Sequence, residues 1–199
     1  TKVNEISVNK TLEFSESDSK NKFIYNQDDF SKLFNELTSS SLIDFKHFEN
    51  YYVDFDRDRL LFHMNSTEGP CMCKGDVNKD GKEDVFIGGS RDYPGILFVQ
   101  TNDGKFIKEN IDVFEKDKAS EDIDCKFFDA NNDGLVDLYV TSGGSEFTEF
   151  STALADRLYI NLGNNKFNKI QKILPNNKFE SSSVVEYCDF DEDGDNDLF

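Results

Sequence analysis

The chain has 199 residues, of which 37% are hydrophobic and 14% aromatic, so it carries enough apolar side chains to build a folded core. Its formal net charge is −18, because 40 Asp and Glu residues outnumber 22 Lys and Arg residues. Such a surface repels phosphate groups, and we therefore expect no nucleic acid partner. The sequence contains no run of 18 or more apolar residues, so we also expect no membrane-spanning segment.

Residues 1–46 lack the pattern found in the rest of the chain. We interpret them as a short mixed segment of linker, strand and short helix, compatible with the tail of a preceding module. The helix is predicted over residues 26–40, where Phe30, Leu33, Phe34 and Leu37 fall at helical spacing.

Residues 47–199 contain a repeated nine-residue motif. It reads DVNKDGKED at 76–84, DANNDGLVD at 129–137 and DFDEDGDND at 189–197, so successive copies start 53 and 60 residues apart. Each copy has Asp at positions 1, 5 and 9, Gly at position 6, and Asn or Asp at position 3. Chance does not place five matched positions three times at nearly even spacing, so the motif marks a structural repeat.

The residues after each motif predict strands. VFIGGS (85–90), ILFVQ (96–100) and KFIKE (105–109) follow the first motif, and the last two flank an NDG turn. The second unit repeats this order with LYVTSGGS (138–145), RLYINL (157–162) and KFNKI (166–170), and inserts residues 146–156 as a loop or short helix.

These units predict an all-β fold. Each unit has about four strands, which is typical of a β-propeller blade. We predict antiparallel blades at about 70–118 and 119–181, and a third blade that begins at about 182 and is incomplete. A propeller ring needs roughly four to eight blades. We therefore expect this chain to be part of a longer protein, with residues 47–199 forming a propeller fragment.

The motifs predict calcium sites. Calcium prefers six to eight oxygen ligands, and Gly at position 6 allows the backbone reversal that lets neighbouring oxygens converge. We assign side chains at positions 1, 3, 5 and 9 and the main-chain carbonyl at position 7. The assigned residues are Asp76, Asn78, Asp80, Lys82 and Asp84 in the first loop; Asp129, Asn131, Asp133, Leu135 and Asp137 in the second; and Asp189, Asp191, Asp193, Asp195 and Asp197 in the third.

Ordinary turns and EF-hands are the two alternatives to this interpretation of the motifs. Clusters of Asp, Asn and Gly also form ordinary turns without metal, but three copies in register favour a shared ligand. An EF-hand would require a Glu at position 12, whereas Ile87 and Val140 stand there within predicted strands. The third motif ends two residues before Phe199, so we expect it to be less ordered or not to hold an ion.

The four cysteines, Cys71, Cys73, Cys125 and Cys188, are expected to be free. Four cysteines in 199 residues do not make a disulfide scaffold, and the Cys-x-Cys spacing does not match a zinc knuckle. We interpret them as small apolar residues in the innermost strand of each blade, with Cys71 and Cys73 on one face.

Several stretches resemble a known family. They include HFENYYVDFDRDRLL (47–61), STEGP (66–70), GDVNKDGKEDVFIGG (75–89), FFDANNDGLVDLYVTSGG (127–144) and DRLYINLGNNKF (156–167). The sequence resembles FG-GAP or VCBS-type repeat proteins of the ASPIC/UnbV-like group, which are related to integrin α-subunit propellers and cartilage acidic protein. This resemblance implies a β-propeller whose blade loops bind calcium.

The expected function is that of a secreted or cell-surface module that binds a protein or glycan partner. Sites of micromolar to millimolar affinity fill permanently only where calcium is abundant, which favours an extracytoplasmic setting. One alternative is a polysaccharide-active enzyme, in which His47, beside Glu49, would be catalytic. Another is a purely structural scaffold. No nucleophile elbow, phosphate loop or zinc-protease motif is present, so we expect no enzymatic activity.

Overall fold

The computed structural model describes residues 43–109, 111–170 and 179–199. The strand and the helix predicted before residue 43 lie outside these described residues. The described part is nearly all β, as the sequence predicts, and its strands form two four-stranded sheets and one two-stranded sheet.

The first sheet is an antiparallel meander. It contains β1 (Met72–Gly75), β2 (Asp84–Ile87), β3 (Ile96–Gln100) and β4 (Phe106–Glu109), paired in chain order. The first acidic motif connects β1 to β2, and residues 101–105 form the turn between β3 and β4.

The second sheet repeats this order, and its first and second strands are longer than those of the first sheet. The predicted insertion between its second and third strands contains a short 3₁₀-helix, Thr152–Leu154. Its strands are β5 (Glu121–Phe128), β6 (Asp137–Gly143), β7 (Arg157–Asn161) and β8 (Phe167–Ile170). Both sheets are therefore the four-stranded antiparallel blades that the repeat predicts.

Four shorter elements complete the described residues. Strands β9 (Tyr187–Cys188) and β10 (Asp197–Leu198) pair antiparallel on either side of the third acidic motif. Helix α1 (Asp54–Arg57) lies in the segment that precedes β1, and helix α2 (Ile111–Glu115) lies between the two blades. Neither helix is predicted by the sequence pattern.

The main core lies between the two blades, where β1 packs against β5. Three aromatic rings join elements from both sides of the boundary. The ring of Phe114 in α2 lies 5.1 Å from that of Phe86 in β2 and 5.1 Å from that of Tyr159 in β7, measured between centroids. Aromatic burial contributes roughly 1.5–3 kcal/mol per side chain, so this boundary is a main source of stability.

A buried ion pair within the second blade positions a carboxylate that also links the two blades. The Arg157 guanidinium lies 2.6 Å from an Asp122 carboxylate oxygen, and both side chains are 4% exposed. The other Asp122 oxygen accepts a hydrogen bond from the Gly89 N–H at 2.8 Å, which joins β5 to the connection after β2. Removing either charge would leave its partner buried and uncompensated.

The cysteines lie in or next to the first strand of each sheet; that this strand is the innermost of a propeller blade stays a prediction, and the exposed Cys188 does not fit the predicted buried position. Cys73 is in β1, Cys125 in β5 and Cys188 in β9, and Cys71 directly precedes β1. All four are present as free thiols. The Cys125 thiol is hydrogen-bonded to Cys71, and this bond together with burial raises the pKa of the Cys71 thiol above its usual range. Cys188 alone among the four is exposed.

We expect thiol titration under denaturing, non-reducing conditions to find four free thiols in every chain. In the native protein Cys188 should react first, because the others are partly or fully buried and the pKa values of the Cys71 and Cys125 thiols are raised. The measurement is absorbance after addition of an aromatic disulfide reagent. Cys188→Ser should remove the fast phase and leave the slow one, and recovery of only two thiols on denaturation would contradict the assignment.

Candidate metal centre

Each acidic motif folds into the same hydrogen-bonded loop between two antiparallel strands. In all three loops the position-5 N–H donates to carboxylate or amide oxygens at positions 1 and 3. The position-6 N–H donates to the second oxygen of position 1, the position-7 N–H to position 5, and the position-2 N–H to position 9. These fifteen hydrogen bonds measure 2.7–3.2 Å.

Two positions of each loop have left-handed backbone conformations. Glycine adopts this region without steric penalty, which accounts for the Gly at position 6, while position 4 holds a non-glycine residue with positive φ. The φ angles at position 6 are 80° for Gly81, 82° for Gly134 and 98° for Gly194, and those at position 4 are 60° for Lys79, 58° for Asn132 and 61° for Glu192.

The ninth-position aspartates join the first two loops to their sheets. Asp84 and Asp137 are 0% exposed. One oxygen of each accepts the position-2 N–H of its loop, at 3.0 Å in both loops. The other accepts the N–H at the end of the third strand, from Gln100 at 2.8 Å and from Asn161 at 2.7 Å. Burial raises the pKa of both carboxyls, and repulsion from the other aspartates of each loop adds to the rise.

The third loop shows how the predicted ligands converge. Oxygens of Asp189, Asp191 and Asp197, at positions 1, 3 and 9, all lie within 4.8 Å of one another, the one such acidic group in the part of the chain that the structure describes. The first two loops have Asn at position 3 and the same hydrogen-bond pattern. The position-5 and position-7 side chains of the third loop, Asp193 and Asp195, do not belong to this group.

The third loop has the same form as the other two, although it lies near the end of the chain. It forms all five loop hydrogen bonds, and β9 and β10 pair through Asp197 with Cys188 and Leu198 with Tyr187. A two-stranded ladder is enough to hold it, because most of its hydrogen bonds lie within the motif. Whether it holds an ion stays a prediction.

The loops lie next to one another at one end of the blades. The Asn196 side chain of the third loop donates to the main-chain oxygen of Asp129 in the second, at 3.2 Å. The Lys79 side chain of the first loop extends to the second loop. Its Nζ atom lies 3.0 Å from the position that a Cβ atom on Gly134 would occupy. Within the first loop Lys82 lies 2.9 Å from Asp80 and lowers the pKa of that carboxyl.

The donor set fits a hard cation. Every assigned side chain offers oxygen, as calcium prefers, and no nitrogen or sulfur ligand stands in the motifs. Each loop oxygen that accepts one N–H keeps a second lone pair for a metal. The flanking strands also exclude an EF-hand, since Ile87 ends β2 and Val140 lies inside β6.

Four-stranded antiparallel blades with an acidic loop between their first two strands define a class of β-propeller repeat. The FG-GAP-like repeat family model matches residues 76–140 and 129–199. These matches cover more than half of the chain, so it belongs to the FG-GAP-like repeat family. No curated protein and no solved structure matched the chain. Within the described residues, no helix has the length and hydropathy needed to cross a bilayer.

Sequence reasoning missed Asn161, which connects the first two loops. Its side-chain amide donates to the main-chain oxygens of Val77 at 2.8 Å and Val136 at 3.0 Å, and its side-chain oxygen accepts from the Gly163 N–H at 2.9 Å. The residue is 1% exposed. Nothing in the local pattern distinguishes it from other Asn residues, because its partner Val77 lies 84 positions away in the chain.

We expect Asn161→Ala to lower the free energy of unfolding by about 2–4 kcal/mol, since it leaves the buried Val77 carbonyl, the partly buried Val136 carbonyl and the Gly163 N–H without this partner. The measurement is urea denaturation followed by circular dichroism. The matched control is Asn168→Ala, which alters an exposed residue of neighbouring β8 and should change stability by less than about 0.5 kcal/mol. Equal effects of the two changes would contradict this role.

Proposed function

We propose that this chain is a calcium-binding β-propeller module whose ions stabilise the loop end of its blades. The observation that carries the proposal is the threefold recurrence of one loop, with the same five hydrogen bonds and the same oxygen donors. An ordinary turn is closed by the side chain of a single Asp or Asn. Here each loop keeps at least three carboxylates and one further Asn or Asp.

Charge gives the physical reason for an ion. Carboxylates at positions 1, 5 and 9 repel one another, and this repulsion contributes to the raised pKa values of Asp84 and Asp137. In the third loop, the hydrogen bond and the charge of Asp193 raise the pKa of Asp195. A divalent cation would turn this repulsion into attraction and bind only the folded loop, so it would add to the free energy of unfolding.

We further propose an extracytoplasmic setting and a protein or glycan ligand. Loop sites of this kind fill without regulation where calcium is abundant, which favours a secreted or cell-surface protein. The finer resemblance to ASPIC/UnbV-like repeat proteins supports the same setting. We propose a binding role and no catalysis, because the sequence carries no nucleophile elbow, phosphate loop or zinc-protease motif and His47 pairs with its near neighbour Glu49 at 2.6 Å within the leading segment.

The choice of variant follows from the hydrogen bonds. Asp84 and Asp137 also join loop to sheet, so replacing them would unfold the loop as well as remove a ligand. Asp133 is exposed, and Asn in its place keeps an oxygen that can accept the Leu135 N–H. Asp133→Asn therefore removes one charge from the second loop, at the loss of the exposed hydrogen bond that Asp133 accepts from the Asn131 amide at 3.0 Å.

We expect calcium to raise the melting temperature of the chelator-treated chain. Each site at a calcium concentration about 100 times its Kd adds about 2.7 kcal/mol. At about 2–4 °C per kcal/mol for a chain of this size, one site would shift the melt by about 5–10 °C. Magnesium should give a smaller shift, because it requires a tighter octahedral shell.

Asp133→Asn should weaken one calcium site in calorimetric titration while the chelated protein melts as the parent does. The matched control is Asp103→Asn, which removes an exposed aspartate of the β3–β4 turn and should leave calcium binding unchanged. An unchanged melt and no heat of binding in the parent chain would show that the loops are only turns.

A further inference from the structure

A second group of carboxylates lies at the end of the blades opposite the acidic loops. It consists of Glu49 in the leading segment, Glu121 at the start of β5 and Glu146 in the β6–β7 connection, and we call it the glutamate cluster. These residues come from three separate parts of the chain. The connection between β2 and β3 adds Arg91, so four segments meet here.

Short contacts fix the positions of the cluster. The main-chain N–H of Arg91 donates to a Glu121 carboxylate oxygen at 2.7 Å. The Arg91 guanidinium lies 3.6 Å from a Glu146 carboxylate oxygen. The same Glu146 oxygen accepts from the Asn50 side-chain amide at 2.6 Å. One oxygen of Glu49 pairs with the His47 ring at 2.6 Å.

Two carboxylate oxygens of the cluster have no partner. The Glu146 side chain is 1% exposed, yet its Oε1 atom accepts no hydrogen bond, and Glu49 Oε2 is also buried without one. Among the described residues only one other buried side-chain atom, Asn165 Oδ1, is in this state. A buried oxygen without a donor loses its hydration and gains nothing in return, so each of these oxygens lacks a partner that a donor or a cation could supply.

The charge of the cluster indicates the sign of such a partner. Three carboxylates lie around the single guanidinium of Arg91. The nearby Arg157 is already paired with Asp122, so its positive charge does not compensate the glutamates. Burial, followed by the charges of Glu49, Glu146 and Asp122, raises the pKa of Glu121 to about 8. The cluster therefore lacks positive charge as well as hydrogen-bond donors.

We propose that Glu49, Glu121 and Glu146 bind a divalent cation at the end of the blades opposite the acidic loops. Carboxylate oxygens favour a hard ion such as Ca²⁺ or Mn²⁺. The ligand oxygens are not all within 4.8 Å of one another, unlike those of the third loop, so binding would require the three side chains to move closer together. The bound cation would fasten the leading segment to the second blade.

Manganese supplies a direct test, because its anomalous scattering shows where it binds. Crystals of the parent chain grown at pH 7.5 and soaked in MnCl₂ should show an anomalous peak between Glu121 and Glu146, separate from any peak in the acidic loops. Absence of a peak at the cluster would overturn the proposal. Peaks at the cluster but none in the loops would overturn only the proposed function.

The test in solution uses Glu146→Gln, which keeps the shape of the side chain and removes its charge. Electron paramagnetic resonance of free Mn²⁺ should count one fewer bound ion per chain in this variant. The matched control, Glu149→Gln, alters an exposed residue of the same connection and should bind as the parent does. An unchanged count in folded Glu146→Gln would overturn the proposal.

Glu121→Gln provides a second variant if Glu146→Gln does not fold. It should also lose one ion, and its Arg91 hydrogen bond can persist because the amide oxygen still accepts. A variant that keeps the parent's ion count and melts higher than the parent at pH 7.5 would show that the cluster holds a proton and no cation.

Discussion

The attachment of each acidic loop to its own sheet is the constraint on which the rest of the described structure depends. In the first two blades a single buried aspartate makes this attachment. Asp84 and Asp137 each accept one N–H from the loop and one from the end of the third strand. A carboxylate can do this because its two oxygens point in different directions, and an amide would offer only one acceptor. The loop therefore cannot shift without disturbing the blade.

Packing between the blades depends on that fixed loop. The main-chain N–H of Asn161 donates to Asp137 in the second loop. Its side-chain amide donates to the Val77 carbonyl in the first loop, so Asn161 connects the two loops. Farther from the loops, the Phe114 ring contacts Phe86 of the first blade and Tyr159 of the second. Asp122, paired with Arg157, accepts the Gly89 N–H of the first blade. Apolar burial supplies most of the free energy, and the polar contacts specify one relative arrangement of the blades.

Carboxylates concentrated at both ends of the blades repel one another. The acidic loops concentrate carboxylates that are close in sequence, whereas the glutamate cluster assembles carboxylates from distant segments. In both places burial and mutual repulsion raise the pKa of a carboxyl group. Cations at both ends would remove that repulsion, which links stability of the module to the ionic composition of its surroundings.

The sequence by itself determined the repeat, the strand order within each blade and the loop residues. These features depend on local patterns: Asp, Gly and Asn at fixed positions specify a turn, and the apolar runs around them specify strands. The resemblance to FG-GAP-like repeats followed from the same residues.

Only the tertiary structure decided which distant groups meet. It placed Asn161 against Val77, Cys125 beside Cys71, and Glu49 with Glu121 and Glu146, and it showed that the third loop keeps its form on two short strands. Neither α1 nor α2 carries a pattern long enough to predict a helix. The physical reason is that such contacts depend on how blades pack, and packing joins residues whose separation in the chain carries no periodic signal.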